Sequence, residues 1–554
     1  MRRSWQCFAV AVLATPWCCA APALAQITLD GGEVQVTMTT AASAYQGAPA
    51  VAWQPNGNYV IAWQQQSATT GGWDIFAQQF EPNGNAPPMA LGPAFQVSSM
   101  GTSFCRQSPA VAADAAGDLV IIWTSDEESG GLRGIFGRLY YSDGQPQGAP
   151  FQVNTAMTYD DQAPAVAMAA DGRFLVVWQS NGQDGSSWGV YGRAYPAASG
   201  PPSGEISVNV TAAGAQHSPA VAYLPPSAAA QERFQVVWQS EGQDGSGTGA
   251  SGIVARAFDG AGNELSGELA INVPATGAHA HPQIASDPSG NFVVAWEGLT
   301  AGGSVVLARR FNAAGTALSA QLMVDPSPSG PEHDPVVAAD ALGEFVVVFD
   351  AVGQDGSGAA VLGQAFDSYL DQPLGGKLQL NATTAGDQAF PGVGLSAGGS
   401  LLLAWQSQTP AADAAVVTAR AASLAALNFF TLPPCRAVDT RNANGPLGGP
   451  VMSAGQVRSF PVVSSACGIP ATAKALSVNV TVVPVSGSGF VRLFPGDAAA
   501  PPTSSVNFPA SITRANNGVF GLSRGGDGSL AVLVNAGGGT GQAHVIIDVN
   551  GYFQ

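Results

Sequence analysis

The chain has 554 residues, a formal net charge of −18, 46% hydrophobic residues and only 10% charged ones. The acid excess argues against nucleic-acid binding, which rests on basic side chains set against phosphates, and the apolar fraction argues against disorder. Lys377 and Lys474 are the only lysines, so Gln, Asn, Ser and Thr must cover much of the surface, as suits an extracellular β-protein.

Residues 1–25 predict a secretory signal: Arg2 and Arg3, an apolar run from Phe8 to Ala14, and Ala23-Leu24-Ala25 as a small-residue cleavage site. No later stretch holds enough uninterrupted apolar residues to span a membrane. Glu33 to Thr37 scans as a β-strand with no hairpin partner ahead of it.

From Pro49 to Arg420 one phrase recurs seven times, most plainly from Pro164 to Asn209: Pro-Ala-Val-Ala, an Asp-Gly turn, Phe-Leu-Val-Val-Trp, Gly-Gln-Asp-Gly-Ser, Val-Tyr-Gly-Arg, Ile-Ser-Val-Asn. The aromatic closing its second apolar run stands at Trp63, Trp123, Trp178, Trp238, Trp296, Phe349 and Trp405, 53 to 60 residues apart. Turn signals cut the unit into four strands, here called a to d. In the third repeat these are Ala165 to Met168, Phe174 to Trp178, Val190 to Tyr195 and Glu205 to Asn209. A sheet of this size, apolar on both faces, cannot stand alone, and seven of them packed face to face around an axis make a seven-bladed β-propeller over residues 26–420. The seventh repeat lacks a strand d, so residues 33–37 are expected to complete it and leave no open edge.

Residues 421–434 change character and read as a linker. Residues 435–554 alternate apolar and polar residues between Gly and Pro turns, which predicts an antiparallel β-sandwich. Once Cys7, Cys18 and Cys19 leave with the signal, Cys435 and Cys467 are the natural disulfide, being in one module, and Cys105 is left over, as a thiol shielded in a loop or, alternatively, one half of an intermolecular bridge. Beside Cys435, the group Arg436, Asp439 and Arg441 reads as an ion pair locking the start of the module.

The words Trp178-Gln179-Ser180, Gly182-Gln183-Asp184-Gly185-Ser186 and Val190-Tyr191-Gly192-Arg193 resemble repeats of large secreted bacterial proteins that also carry calcium-binding nonapeptide or cadherin-like modules. Pro434-Cys435-Arg436, Asp439-Thr440-Arg441, Cys467-Gly468-Ile469-Pro470 and Asp548-Val549-Asn550-Gly551-Tyr552-Phe553 resemble a module at the ends of many secreted bacterial proteins. The resemblance implies surface or secreted placement and an adhesive or binding role.

Loops d-to-a and b-to-c share one propeller face. There the approaches to strand a carry Gln46, Gln107, Gln162, His217, His281, His333 and Gln388, and the b-to-c loops carry Asp184, Asp244 and Asp355. Such a ring is a candidate ligand face for a glycan or protein at the cell surface. Asp-Gly-Ser is also ordinary turn chemistry; its oxygens would suit calcium near Asp184, Asp244 and Asp355, although one Asp per loop falls short of six to eight ligands. His279, His281 and His333 lack the helix-borne spacing of a zinc site. The sequons at Asn209, Asn381 and Asn479 carry no weight in a bacterial-looking chain.

No nucleophile elbow, phosphate loop or Cys-x-x-Cys occurs. The expectation is therefore a secreted binding protein without catalytic role or required cofactor, with a polysaccharide-acting hydrolase or lyase as the alternative, because paired carboxylates are a fact of the fold and not of the sequence.

Overall fold

The computed structural model describes residues 27–553 apart from short interior stretches, the longest being 37–44. The expected signal, Thr37 and Asp244 lie outside the described residues. Two compact units result, Ala25–Ala426 and Leu427–Gln554.

The first unit is a seven-bladed β-propeller of seven antiparallel sheets. The third blade is Asp160–Met168, Phe174–Asn181, Trp188–Tyr195 and Ile206–Ser207. Strand a thus starts earlier than its apolar run, because pairing with strand b resumes beyond a bulge between Gln162 and Ala165. Strands b are buried almost throughout, since sheets pack on both their faces. The anchor aromatics are fully buried and each fills the space toward the preceding blade. Trp178 lies with Val120, Ile122 and Ile135 of blade 2, and Trp63 with Leu402, Ala404 and Val417 of blade 7, so the same contact closes the ring.

The arginine of Val-Tyr-Gly-Arg also works between blades. Arg193 donates to Val153 O at 2.7 Å, Arg256 to Val208 O at 3.0 Å, Arg309 to Ile271 O at 2.8 Å and Arg420 to Leu380 O at 2.9 Å. Near the outer edge a carboxylate of one blade accepts from an Asn-x-Thr loop of the blade before. Glu268 takes Val210 N at 2.6 Å and Thr211 Oγ1 at 3.0 Å, and Glu33 takes Thr383 N at 3.1 Å and Thr383 Oγ1 at 2.6 Å. Two of the sequons are therefore structural. Asn209 and Asn381 are buried, their side chains bonded to Gln216 and Gln388.

The N-terminal strand runs Ile27–Gln35 and pairs antiparallel with Ala415–Leu424, forming the fourth strand of the seventh sheet. It starts earlier than the pattern at residues 33–37, because a bulge between Asp30 and Val34 carries the pairing past Gly31. Gly31 has φ +75° and lies so close to Ala86 that a Cβ would sit 2.5 Å from its carbonyl carbon, so only glycine fits.

Residues 421–434 are not a free linker. Residues 421–424 end the last propeller strand, and Phe429–Asp439 is the first strand of the second unit, paired with Gln542–Phe553. The Ala/Leu composition hid this, because a strand buried on both faces loses its alternation.

The second unit is an antiparallel sandwich. One sheet orders Phe429–Asp439, Gln542–Phe553, Ala475–Ser486 and Arg514–Gly521; the other orders Val457–Phe460, Leu530–Ala536, Gly489–Pro495 and Val506–Phe508. Val478, Val480, Leu493, Val532 and Ile547 fill the space between. Cys435 and Cys467 form a disulfide. Arg441 pairs with Asp439 at 2.7 Å and Arg436 with Asp548 at 2.8 Å. Cys105 is a half-buried free thiol whose amide donates to Asp126 at 2.7 Å.

Candidate functional site at the channel mouth

In every inner strand the ladder skips the residue before the proline of the Pro-Ala-Val-Ala word, and the proline with it. Proline has no N–H to contribute, so the ladder breaks there at little cost. The residue before it takes a left-handed conformation in all seven blades: Ala48, Ser108, Ala163, Ser218, His281, Asp334 and Phe390, with φ between +47° and +54°. These seven bulges ring a cavity of about 540 Å³ on the propeller axis.

A second repeated device holds the bulges. The residue after the anchor aromatic reaches into the next blade and accepts the N–H of the left-handed residue: Gln179 takes Ser218 N at 2.8 Å, Gln64 takes Ser108 N at 3.0 Å, and Glu297 takes Asp334 N at 2.9 Å. Asp350 does the same for the amide of Phe390. A neutral glutamine is enough for this work. The acids at 297 and 350 therefore add titratable groups that the fold does not require.

Blades 5 and 6 gather titratable groups at this level. His281 Nδ1 donates to Glu297 Oε1 at 3.0 Å, and His333 Nδ1 lies 3.6 Å from Glu297 Oε2 and 3.2 Å from Ser304 Oγ. Asp350 Oδ1 is buried and meets no hydrogen-bond donor. One ligand-type atom each from His281, Glu297 and Asp334 falls within 4.8 Å of the other two.

The environment sets these groups apart. Burial pushes the Asp350 carboxyl up to about 8, with the neighbouring Asp334 adding to the shift. Asp334 is raised by burial and by the Glu297 charge. Burial also acts on Glu297, but hydrogen bonds from His281 and the Asp334 amide outweigh it and hold Glu297 below the usual carboxylate range. The Glu297 carboxylate in turn holds His281 above the ordinary imidazole value. Asp350 thus keeps its proton at neutral pH, while Asp334 and Glu297 are shifted in opposite directions from the ordinary carboxylate value.

The structure separates the residues singled out in the sequence. Gln46 and Gln388 belong to a buried layer beneath the bulges, with Asp161, His279 and Glu332; Gln388 bonds Asn381 and Ala385 and does not reach the surface. Gln107, Gln162, His217 and His333 sit one residue nearer the mouth, opposite the residue after the anchor. Gln162 donates to Asp160 at 2.7 Å, and His217 lies against Trp188 with its imidazole lowered by burial. His281 alone of that ring is a bulge residue. His279 accepts from the Trp296 indole at 3.1 Å and so stands apart from His281 and His333.

Asp184 and Asp355 belong to different blades and each accepts from the amide two residues on, Ser186 at 2.9 Å and Ser357 at 3.1 Å. Among the described residues the group suited to hold a cation is His281, Glu297 and Asp334, whose imidazole and carboxylates match a transition metal better than calcium.

Glu297, Asp334, Asp350 and Phe390 escape a reading that looks for motifs. Their signal is departure from the repeat. The anchor is followed by Gln in Trp63-Gln64, Trp178-Gln179, Trp238-Gln239 and Trp405-Gln406, but by acid in Trp296-Glu297 and Phe349-Asp350.

No protein-family model matches the chain, and no curated protein does. Similar solved structures include a protein of unknown function from Dyadobacter fermentans (9% identity, 73% of this chain and 100% of that one, TM-score 0.42). The polysaccharide lyase Uly1 is similar at 10% identity, 72% and 98% coverage and TM-score 0.42, and the β-propeller domain of the Trilobed protease of Pyrococcus furiosus at 8%, 70% and 97%, and 0.40. At these identities the likeness concerns the fold. The expectation of a protein without catalytic role is corrected here: similar solved structures also include polysaccharide lyases and glycoside hydrolases, at 10 to 11% identity and TM-scores of 0.29 to 0.42, so the exclusion of an enzyme is withdrawn.

Proposed function

We propose that this chain is an extracellular polysaccharide-acting enzyme that cleaves a neutral glycan at the channel mouth. Asp334 protonates the leaving glycosidic oxygen and Glu297 is the ionised partner. The observation that carries this reading is two carboxyls with oxygens within 4.8 Å of each other, one raised and one lowered from the ordinary value. A pair split in these directions suits the acid and the ionised partner of glycoside hydrolysis, and so short a separation suits a covalent, retaining course, for which carboxyl groups stand roughly 5 to 5.5 Å apart.

Asp350, its carboxyl raised to about 8 by burial, accepts the Phe390 amide and so fixes the backbone beside Asp334. His281 steadies Glu297 through its Nδ1 hydrogen bond. Hydrolysis is favoured over β-elimination, since the Glu297 carboxylate at the mouth and a net charge of −18 would repel a uronate, whose acid group an eliminating enzyme must neutralise. The disulfide and the expected signal at residues 1–25 agree with action outside the cytoplasm, and no helix among the described residues is long and apolar enough to cross a membrane. The glycan, expected at first as a ligand of the loop face, becomes the substrate.

The test is release of reducing ends from arabinan, xylan, galactan and mannan by the secreted chain, with polygalacturonate as the charged control. Cleavage of a neutral polymer, lost in Asp334→Asn and Glu297→Gln with unchanged melting, supports the reading. An inactive wild type on every polymer overturns it.

A further inference from the structure

Phe390 is the one large apolar residue among the seven left-handed bulge residues. In blades 1 to 4 the position is Ala48, Ser108, Ala163 and Ser218, small side chains that lessen the cost of positive φ. A bulky residue in that conformation is an outlier that the surroundings must hold in place. The restraint is present, because Asp350 of the neighbouring blade accepts the Phe390 amide.

Folding supplies no reason for the ring itself. The phenyl is 47% exposed and belongs to none of the buried clusters, so it contributes little burial energy for the strain it carries. It lines the same cavity as His281 and Asp334, and Asp350 touches both its backbone and Asp334. A strained, half-exposed aromatic beside a catalytic-type carboxyl pair is a flat apolar surface presented to whatever enters the mouth.

We propose that Phe390 forms a sugar-stacking subsite next to the carboxyl pair. The apolar C–H face of a neutral sugar ring lies on the electron-rich face of the phenyl, and this sets the neighbouring glycosidic bond over Asp334 and Glu297. The geometry suits the ligand: stacking on a ring face recognises the C–H surface of a sugar without a charge partner, as an acidic mouth demands. The inference rests on the glycan reading above and adds to it the residue that positions the chain. Phe390 is a positioning residue here, and proton transfer stays with Asp334.

The experiment uses the full chain with the linear hexaoses of xylose, arabinose, galactose and mannose, titrated calorimetrically and followed by product release. In Phe390→Ala the dissociation constant and KM rise about tenfold or more, the fold-change of about 1.4 kcal/mol within the range for aromatic contacts. The kcat pH profile stays in place. Phe390→Trp restores affinity and Phe390→Leu does not. Melting of Phe390→Ala at or above wild type shows that the loss is not one of folding. A wild type that binds and cleaves a hexaose while Phe390→Ala or Phe390→Leu performs equally well overturns the subsite and leaves the enzyme reading standing. A wild type that neither binds nor cleaves any of the four overturns both.

Discussion

Blades 1 to 4 and blades 5 to 7 share one backbone at the channel mouth and differ in what hangs from it. Both sectors have the same bulge before proline, with φ near +50°, and both hold it with an oxygen from the preceding blade. In the first sector the side chains are Ala48, Ser108, Ala163, Ser218, Gln64 and Gln179, small or neutral. In the second they are His281, Asp334, Phe390, Glu297 and Asp350. The difference teaches that a repeat built for assembly leaves positions where the structural duty asks only for a positive φ or a side-chain oxygen, and that chemistry can be placed there without rebuilding the ring.

The comparison breaks most sharply if both sectors respond alike to loss of charge. Glu297→Gln converts the second sector to the first while keeping the acceptor for Asp334 N, so melting should hold. Polysaccharide cleavage should fall about 10² to 10⁴-fold, the usual scale for a general acid or base. Gln179→Glu makes the reverse change and should create no activity, because Ala163 and Ser218 offer no partner acid. Reducing-end assays on both variants decide this.

The shared frame is tested by Trp178→Ala, which leaves a cavity between blades 2 and 3. It should cost about 3 to 5 kcal/mol, read by denaturant titration, and Trp296→Ala between blades 4 and 5 should cost a similar amount. Unequal losses would show that the frame itself differs between the sectors.

A pH series sharpens the contrast further. Asp350 has its carboxyl raised to about 8, and Glu332 beneath it is raised to about 7, in both cases chiefly by burial. For a carboxyl higher in the folded chain than in the unfolded one, the unfolded state ionises first. Stability is therefore greatest below the ordinary carboxylate value and is lost as pH rises toward the folded value. Wild-type melting should fall from mildly acidic pH to about pH 8. Asp350→Asn, which mimics the protonated form, should flatten that slope and raise melting at the alkaline end. An unchanged slope would sink the assignment.

The smallest expected effect is at the closure. Glu33→Ala removes the bracket on Ala382 and Thr383 but leaves the strand pairing, so melting should drop by only a degree or two, since exposed bonds of this kind contribute little. Deleting residues 27–35 should lower it far more, by baring the edge of the seventh sheet.

Local patterns determined the propeller. The 53 to 60 residue spacing of Trp63 through Trp405, the Gly turns and the apolar runs are each properties of neighbouring residues, and a four-stranded sheet with two apolar faces has few ways to be buried. The pairing of Cys435 with Cys467 was legible for a similar reason, both lying in one module. Strand limits were less so, because bulges at Asp30/Val34 and Gln162/Ala165 let ladders run past the apolar pattern. The site was legible only as an irregularity. His281, Glu297, His333, Asp334 and Asp350 are spread over 70 residues on four strands. Only the packing of consecutive blades sets blade 5 against blade 6 and lets Glu297 reach the Asp334 amide, and only the burial and hydrogen bonds so produced separate carboxyls that in the unfolded chain would titrate together.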